Sequence, residues 1–233
     1  MKIGAAEGME YKSVAIDGPA GAGKSTLARR AAQALGFLYV DTGAIYRTVA
    51  LKTLRAGVDP EDADQVVPLL KGLDIHMSYG QDGEQKMYLD GEDVTQTIRE
   101  HKVSGVASKV SAIPQVREFL LDFQRRQARE HNVIMDGRDI GTVVLPQANV
   151  KIFLTAAAEL RARRRLLELE QRGQQGTFED ILRDIVKRDE QDRNRPISPL
   201  RQAEDAVCLD TSQLDLEQSL QALLSIIKEK IDQ

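Results

Sequence analysis

The stretch Ser13–Thr26, SVAIDGPAGAGKST, decides the reading of this chain. Its first five residues are a short β-prone run, and Gly18 to Ser25 match the pattern G-x-x-x-x-G-K-[ST]. The residues that follow, LARRAAQALG, have helical character. Strand, glycine-rich turn and helix in that order form a phosphate-binding loop. Glycines let successive backbone N–H groups converge on phosphate oxygens, and the helix turns its positive N-terminal end to the same anion. The loop Gly18, Pro19, Ala20, Gly21, Ala22, Gly23, Lys24, Ser25 and Thr26 is expected to hold a nucleoside triphosphate. Lys24 reaches the terminal phosphates and the Ser25 hydroxyl faces Mg²⁺. Two fixed glycines with Lys and Ser/Thr arise by chance about once in a hundred chains of this size, and the flanking strand and helix make chance rarer.

Outward from this stretch, further β-rich runs occur at Phe37–Val40, Val133–Met135, Val150–Leu154 and Ala206–Leu209. Helical periodicity separates most of them. Val116, Phe119, Leu120, Phe123 and Gln127 follow one face, and so do Leu220, Leu223, Leu224, Ile227 and Ile231. Strands alternating with helices predict an α/β fold: a P-loop three-layer sandwich around a five-stranded parallel sheet. Ligands of such sheets sit beyond the carboxyl ends of the strands. Between about residues 60 and 105 the rhythm changes. Ile75, Met77 and Tyr79 alternate with polar residues, as do Met87 and Leu89, and Asp82-Gly83 and Asp90-Gly91 are turn candidates. This predicts a small antiparallel insert outside the parallel core, with the core at 12–59 and 106–233. EQRGQQGTFED, between two charged helices, reads as a second movable piece.

The bulk numbers narrow the classes. The chain has 233 residues, 42% hydrophobic and 29% charged, with a net charge of -4. This is ordinary for a soluble protein and argues against nucleic-acid or membrane partners. A single cysteine, Cys208, fits a reducing compartment, and His76, His101 and His131 lack metal-ligand spacing. No run of about 18 apolar residues exists, and MKIGAAEGMEYK lacks the apolar centre of a signal peptide. A cytoplasmic monomer is expected.

Phosphoryl transfer requires alignment and neutralisation of charge, and the guanidinium fork matches phosphate oxygens in pairs. Arg47 follows the second strand in VDTGAIYR, and Arg138 follows the third in IMDGRDIG. Arg188, Asp192 and Arg195 fall at i, i+4, i+7 on a helix ending before Pro196, and Arg161, Arg164 and Arg165 cluster on another, where ordinary surface ion pairs are an equal reading. Asp136, at the end of an apolar strand, is a candidate Mg²⁺-side carboxylate acting through water, or a plain turn residue. The residues alone predict a P-loop kinase of a small anionic acceptor. A kinase of UMP or of a shikimate-like acid, and a non-catalytic nucleotide-binding switch, remain open.

The ordered set AIDGPAGAGKST, VDTGAIYR, VASKVSAIPQVRE, DGRDIGTVVLP, KIFLTA and RDEQDRNRPISPL resembles the bacterial cytidylate kinase family, from about residue 12 to 228. That resemblance implies transfer of the γ-phosphoryl group of ATP to CMP or dCMP, without a general base. It implies catalytic roles for Lys24, Arg138, Arg188 and Arg195. Acceptor binding would fall to Thr42, Arg47, Ser108, Arg117, Arg138, Asp139, Arg188, Asp192 and Arg195, with Ser108, Arg117 and Asp139 reading the cytosine. The insert becomes a nucleotide-monophosphate-binding domain and residues near 160–195 a short lid. Thr42 stands where a serine is common in the family.

Overall fold

The computed structural model describes residues 11–81, 83–171 and 173–231. The chain opens with β1 (Ser13–Asp17), α1 (Lys24–Leu35), β2 (Leu38–Asp41) and α2 (Thr42–Ala56). The insert follows: α3 (Ala63–Val66), β3 (Ile75–Tyr79), β4 (Gln85–Leu89) and β5 (Glu92–Asp93). Then come α4 (His101–Val110), α5 (Pro114–Glu130), β6 (Val133–Gly137), β7 (Val150–Thr155), α6 (Ala158–Gln171), α7 (Phe178–Asn194), β8 (Val207–Asp210) and α8 (Leu216–Ile231).

Five strands form one parallel sheet of order β2-β6-β1-β7-β8. They fall on the five predicted runs, with two differences. β2 and β8 begin one residue later than predicted, and β2, β6, β7 and β8 run one or two residues further. The extensions occur because backbone pairing does not depend on side-chain polarity: Asp41 still pairs with Asp136 across the sheet. Alternation splits the core into two layers. Val14, Ile16, Tyr39 and Ile134 join α1 and α8 through Leu27, Leu223 and Ile227, whereas Ala15, Val40 and Met135 face α2 and α5. On α5 the buried line is Val116, Leu120 and Gln124, and Phe119, predicted on the apolar face, is 40% exposed.

The insert is a three-stranded antiparallel sheet, β3-β4-β5. Its apolar face does not form a core of its own: Met87, Leu89, Val94 and Ile98 are packed in the same cluster as Val40 and Met135. Burying each such side chain contributes roughly 1.5–3 kcal/mol. Asp90 and Gly91 both take positive φ, 51° and 84°, the conformation of a tight hairpin turn between β4 and β5. Asp82, of the other predicted turn, lies outside the described residues, as do residues 1–10 and Arg172 of the irregular stretch.

Helix α7 starts at a Thr177 cap that accepts from the Asp180 N–H, and it ends at Asn194. Arg195 therefore lies one residue past the predicted helical face, in an extended conformation, because Pro196 disfavours a helical residue before it.

Candidate active site

All the predicted site elements meet at the carboxyl end of the parallel sheet. The phosphate loop leaves β1 at Gly18, where a Cβ would sit 1.9 Å from the Leu154 carbonyl oxygen of β7. Only glycine fits that crossing. Lys24 begins α1 and is buried; its Nζ donates to the Pro19 carbonyl at 2.8 Å. Burial, then the neighbouring Arg138, pull the ammonium down to about 7, against the attraction of Asp136 and Asp17. The Ser25 hydroxyl donates to one Asp136 oxygen at 2.9 Å and the Tyr39 hydroxyl to the other at 2.8 Å. Burial and nearby Asp41 push the Asp136 carboxyl above its ordinary value.

Three adjacent strands, β2, β6 and β1, each bring an aspartate to this edge: Asp41, Asp136 and Asp17. Asp17 accepts from the Ile140 and Gly141 N–H groups at 2.7 and 2.8 Å, and burial nonetheless pushes its carboxyl up to about 6. Asp41 caps α2 by accepting from the Ala44 N–H, and its other oxygen lies 2.9 Å from Arg47 and 3.1 Å from Arg99. Burial would raise its pKa, but the two guanidinium groups and the capped N–H outweigh burial and hold it low.

Across an open cleft of about 940 Å³ stand the arginines. Arg138 donates through Nε to Asp192 at 2.7 Å. Burial would raise the Asp192 carboxyl, but Arg138 holds it low. Asp139, next in sequence to Arg138, instead pairs with Arg117 and lies 3.4 Å from Arg195. Arg195 also donates to the Ser198 carbonyl, and Arg117 lies over the Tyr46 ring. Among the described residues, Arg47 and Arg188 each keep a buried Nε–H without a hydrogen-bond partner. Ser108 lines the cleft, and Thr42 does too while donating its hydroxyl to the Asp136 carbonyl.

The structure separates the three arginines of α6. Arg161 is buried in a bidentate pair with Asp189, Arg164 lines the cleft, and Arg165 forms a surface pair with Glu168. Sequence reasoning missed Asp17, Asp41, Tyr39 and Arg99. For the two aspartates a signal existed: AID, VD and MD each end an apolar run directly before Gly or Thr-Gly. Nothing local marks Arg99.

A phosphate loop after the central strand of a five-stranded parallel sheet, facing a cleft rimmed with arginines, defines the P-loop kinase class of α/β proteins. An uncharacterized protein from Eubacterium ventriosum shares this fold at a TM-score of 0.52 and 12% identity, over 94% of this chain and 98% of that one. The family model for cytidylate kinase matches residues 14–229. Cytidylate kinase of Caldicellulosiruptor bescii is 50% identical over 218 residues, 94% of this chain and 96% of the relative. That of Carboxydothermus hydrogenoformans is 51% identical over 219 residues, covering 94% and 98%. The chain belongs to the cytidylate kinase family.

Proposed function

We propose that this chain transfers the γ-phosphoryl group of ATP to CMP or dCMP, giving ADP and the cytidine diphosphate. The observation that carries this reading is the pair of buried, unpartnered Nε–H donors on Arg47 and Arg188, in the same cleft as the phosphate loop. Buried donors without acceptors are costly, and a phosphate oxygen satisfies them. A switch that binds one nucleotide needs no second anion grip.

ATP lies along Gly18–Thr26, its terminal phosphates at Lys24. The acceptor phosphate lies among Arg47, Arg138, Arg188 and Arg195. A phosphate monoester has its second pKa near 6, so the attacking oxygen needs no general base. Mg²⁺ fits the oxygen set beside the loop, since the Ser25 hydroxyl and the Asp136 carboxylate are hard donors already 2.9 Å apart. Ser25 would hold it directly and Asp136 through water, and it would neutralise phosphate charge when bound. Lys24 and the arginines hold the two phosphates in line and spread the developing charge.

The Asp139–Arg117 pair supports cytosine as the acceptor base. A carboxylate beside a guanidinium presents an acceptor next to donors, the complement of the cytosine amino group and its ring N3 and O2, with Ser108 as a further donor. Uracil would set a carbonyl against Asp139, leaving two acceptors and no proton. Asp192 and Arg188 reach the sugar, and the Thr42 hydroxyl lies near the acceptor.

The test is ADP release from Mg²⁺–ATP with CMP, dCMP, UMP and AMP, for the natural chain and Asp139→Ala. Turnover with CMP and dCMP, lost at least 10²-fold in the variant while UMP is hardly affected, supports the reading. Preferred turnover of UMP or AMP discards the base assignment, and no turnover with any of the four discards the acceptor.

A further inference from the structure

Arg161 has the appearance of a phosphate ligand, on the helix that leans over the loop, yet four of its five guanidinium N–H groups already have protein acceptors. Its side chain is 4% exposed. Nε donates to the Ala156 carbonyl at 2.8 Å. Nη1 donates to the Ala20 carbonyl at 3.0 Å and to Asp189 at 3.1 Å, and Nη2 to the other Asp189 oxygen at 2.6 Å. Neither Arg161 nor Asp189 lines the cleft. Ala20 belongs to the phosphate loop, and a Cβ built on Gly21 would meet the Arg161 Cβ at 3.5 Å, so α6 touches the loop at two successive residues.

Asp189 sits on α7 between Arg188, with its unpartnered Nε–H, and Asp192, which holds Arg138. One helix therefore faces the donor side through Asp189 and the acceptor side through its neighbours one and three residues away. A bidentate pair transmits orientation as well as distance. The loop cannot shift its Ala20 carbonyl without moving Arg161, and Arg161 cannot turn without moving α7.

We propose that Arg161 and Asp189 are positioning residues that couple occupancy of the phosphate loop to the acceptor grip, so that bound ATP sets the α7 side chains for the second nucleotide. Binding of the two substrates is then synergistic, by a factor that passes through this one pair. The inference rests on the acceptor reading above.

The test is calorimetric. The Kd of a Mg²⁺-bound, non-hydrolysable ATP analogue is measured with and without saturating CMP, in the natural chain, in Asp189→Asn and in Arg161→Met/Asp189→Leu. The double variant replaces the buried pair by apolar groups, a change that often preserves stability. The natural chain should bind the analogue about five-fold or more tightly with CMP present. Both variants should bring that factor to about one, with each single-ligand Kd within about three-fold of natural. A factor that survives in the variants overturns the proposal, as does a factor of one in the natural chain. A second measurement needs no variant: the analogue alone should slow hydrogen exchange along α7, and unchanged exchange there also overturns it. Turnover of CMP by the natural chain is scored separately. CMP turnover with surviving synergy in the variants sinks only the coupling, whereas absent CMP turnover sinks the acceptor reading.

Discussion

The proposed donor half of the cleft is one unbroken run of chain, Gly18–Thr26, whereas the proposed acceptor grip gathers Arg47 from α2, Arg138 after β6, Arg188 from α7 and Arg195 beyond it. The first half offers backbone N–H groups and a single buried lysine. The second offers guanidinium groups, most already pinned by Asp41, Asp192 or Asp139. They also differ in how they answer pH. Arginines stay charged throughout the physiological range, but Lys24 and Asp17 are held near neutrality, at about 7 and about 6. One half is a fixed cationic frame, and the other carries groups that change charge.

The largest effect should come from Lys24→Met. Removing the one full charge the loop aims at the transferred group should lower kcat on the order of 10³-fold. The CMP affinity of the free enzyme should move by no more than about three-fold, because the acceptor grip does not include the lysine. An equal collapse of CMP binding, seen by calorimetry, would erase the division between the halves.

Asp17 gives the next largest. Its folded pKa of about 6 lies above the ordinary value of 3.8. Between those limits the folded state keeps a proton that the unfolded chain has released, so stability falls as pH rises from about 4 to about 6 and is level above. The shift of roughly two units corresponds to about 3 kcal/mol. Asp17→Asn sets one amide N–H against a backbone donor, a constant cost, but it carries no proton to lose. Thermal melts across that window should show the natural chain losing its advantage over the variant as pH rises. Parallel curves would show that the hydrogen bonds from Ile140 and Gly141 outweigh burial at this carboxylate.

On the acceptor side, Arg188→Met should raise the KM for CMP about 10–10²-fold while the KM for ATP stays within about three-fold, measured by steady-state kinetics at saturating partner substrate. Arg47→Met should behave alike, since Arg99 remains to pair Asp41. If the ATP KM rises in step, the two guanidinium groups serve the donor instead.

The same contrast explains what could be read from sequence. The loop was legible because its function depends on residues adjacent in the chain, where glycine, lysine and serine have one spacing. The strands and the β4–β5 turn were legible for the same reason, since alternation and Asp90-Gly91 are local. Arg47, Arg138, Arg188, Asp192 and Arg195 stood out by their places after strands and on one helix face, but Thr42, Ser108, Arg117 and Asp139 came only from resemblance, because contacts such as Arg138 with Asp192 and Asp139 with Arg117 join residues 54 and 22 positions apart. No periodicity encodes such a pairing. Arg161 remained undecided in sequence because a helix arginine beside other arginines looks alike whether it meets solvent or, as here, a buried aspartate across a helical hairpin. Arg99 gave no signal, since its place opposite Asp41 depends on how the insert folds back over α2.

The smallest effect tests the titrating half directly. With Lys24 at about 7 in the free chain, about nine in ten molecules carry the neutral amine at pH 8. Phosphate charge placed against the amine favours the ammonium, and the Pro19 carbonyl, its present partner, supplies no such charge. Binding of ATP at pH 8 should therefore take up close to one proton, which costs about 1.4 kcal/mol of affinity relative to a lysine already charged. Calorimetry in two buffers of different ionisation enthalpy reads that uptake. It should shrink by pH 6, where the amine is already protonated, and the Lys24 contribution should vanish in Lys24→Met. CMP binding measured the same way reports mainly the protonation of its own phosphate, because the arginines that meet it have no proton to gain. An uptake at pH 8 that persists in Lys24→Met would assign the titration to another group of the donor half, with the Asp136 carboxyl, raised by burial beside Ser25, the next to examine.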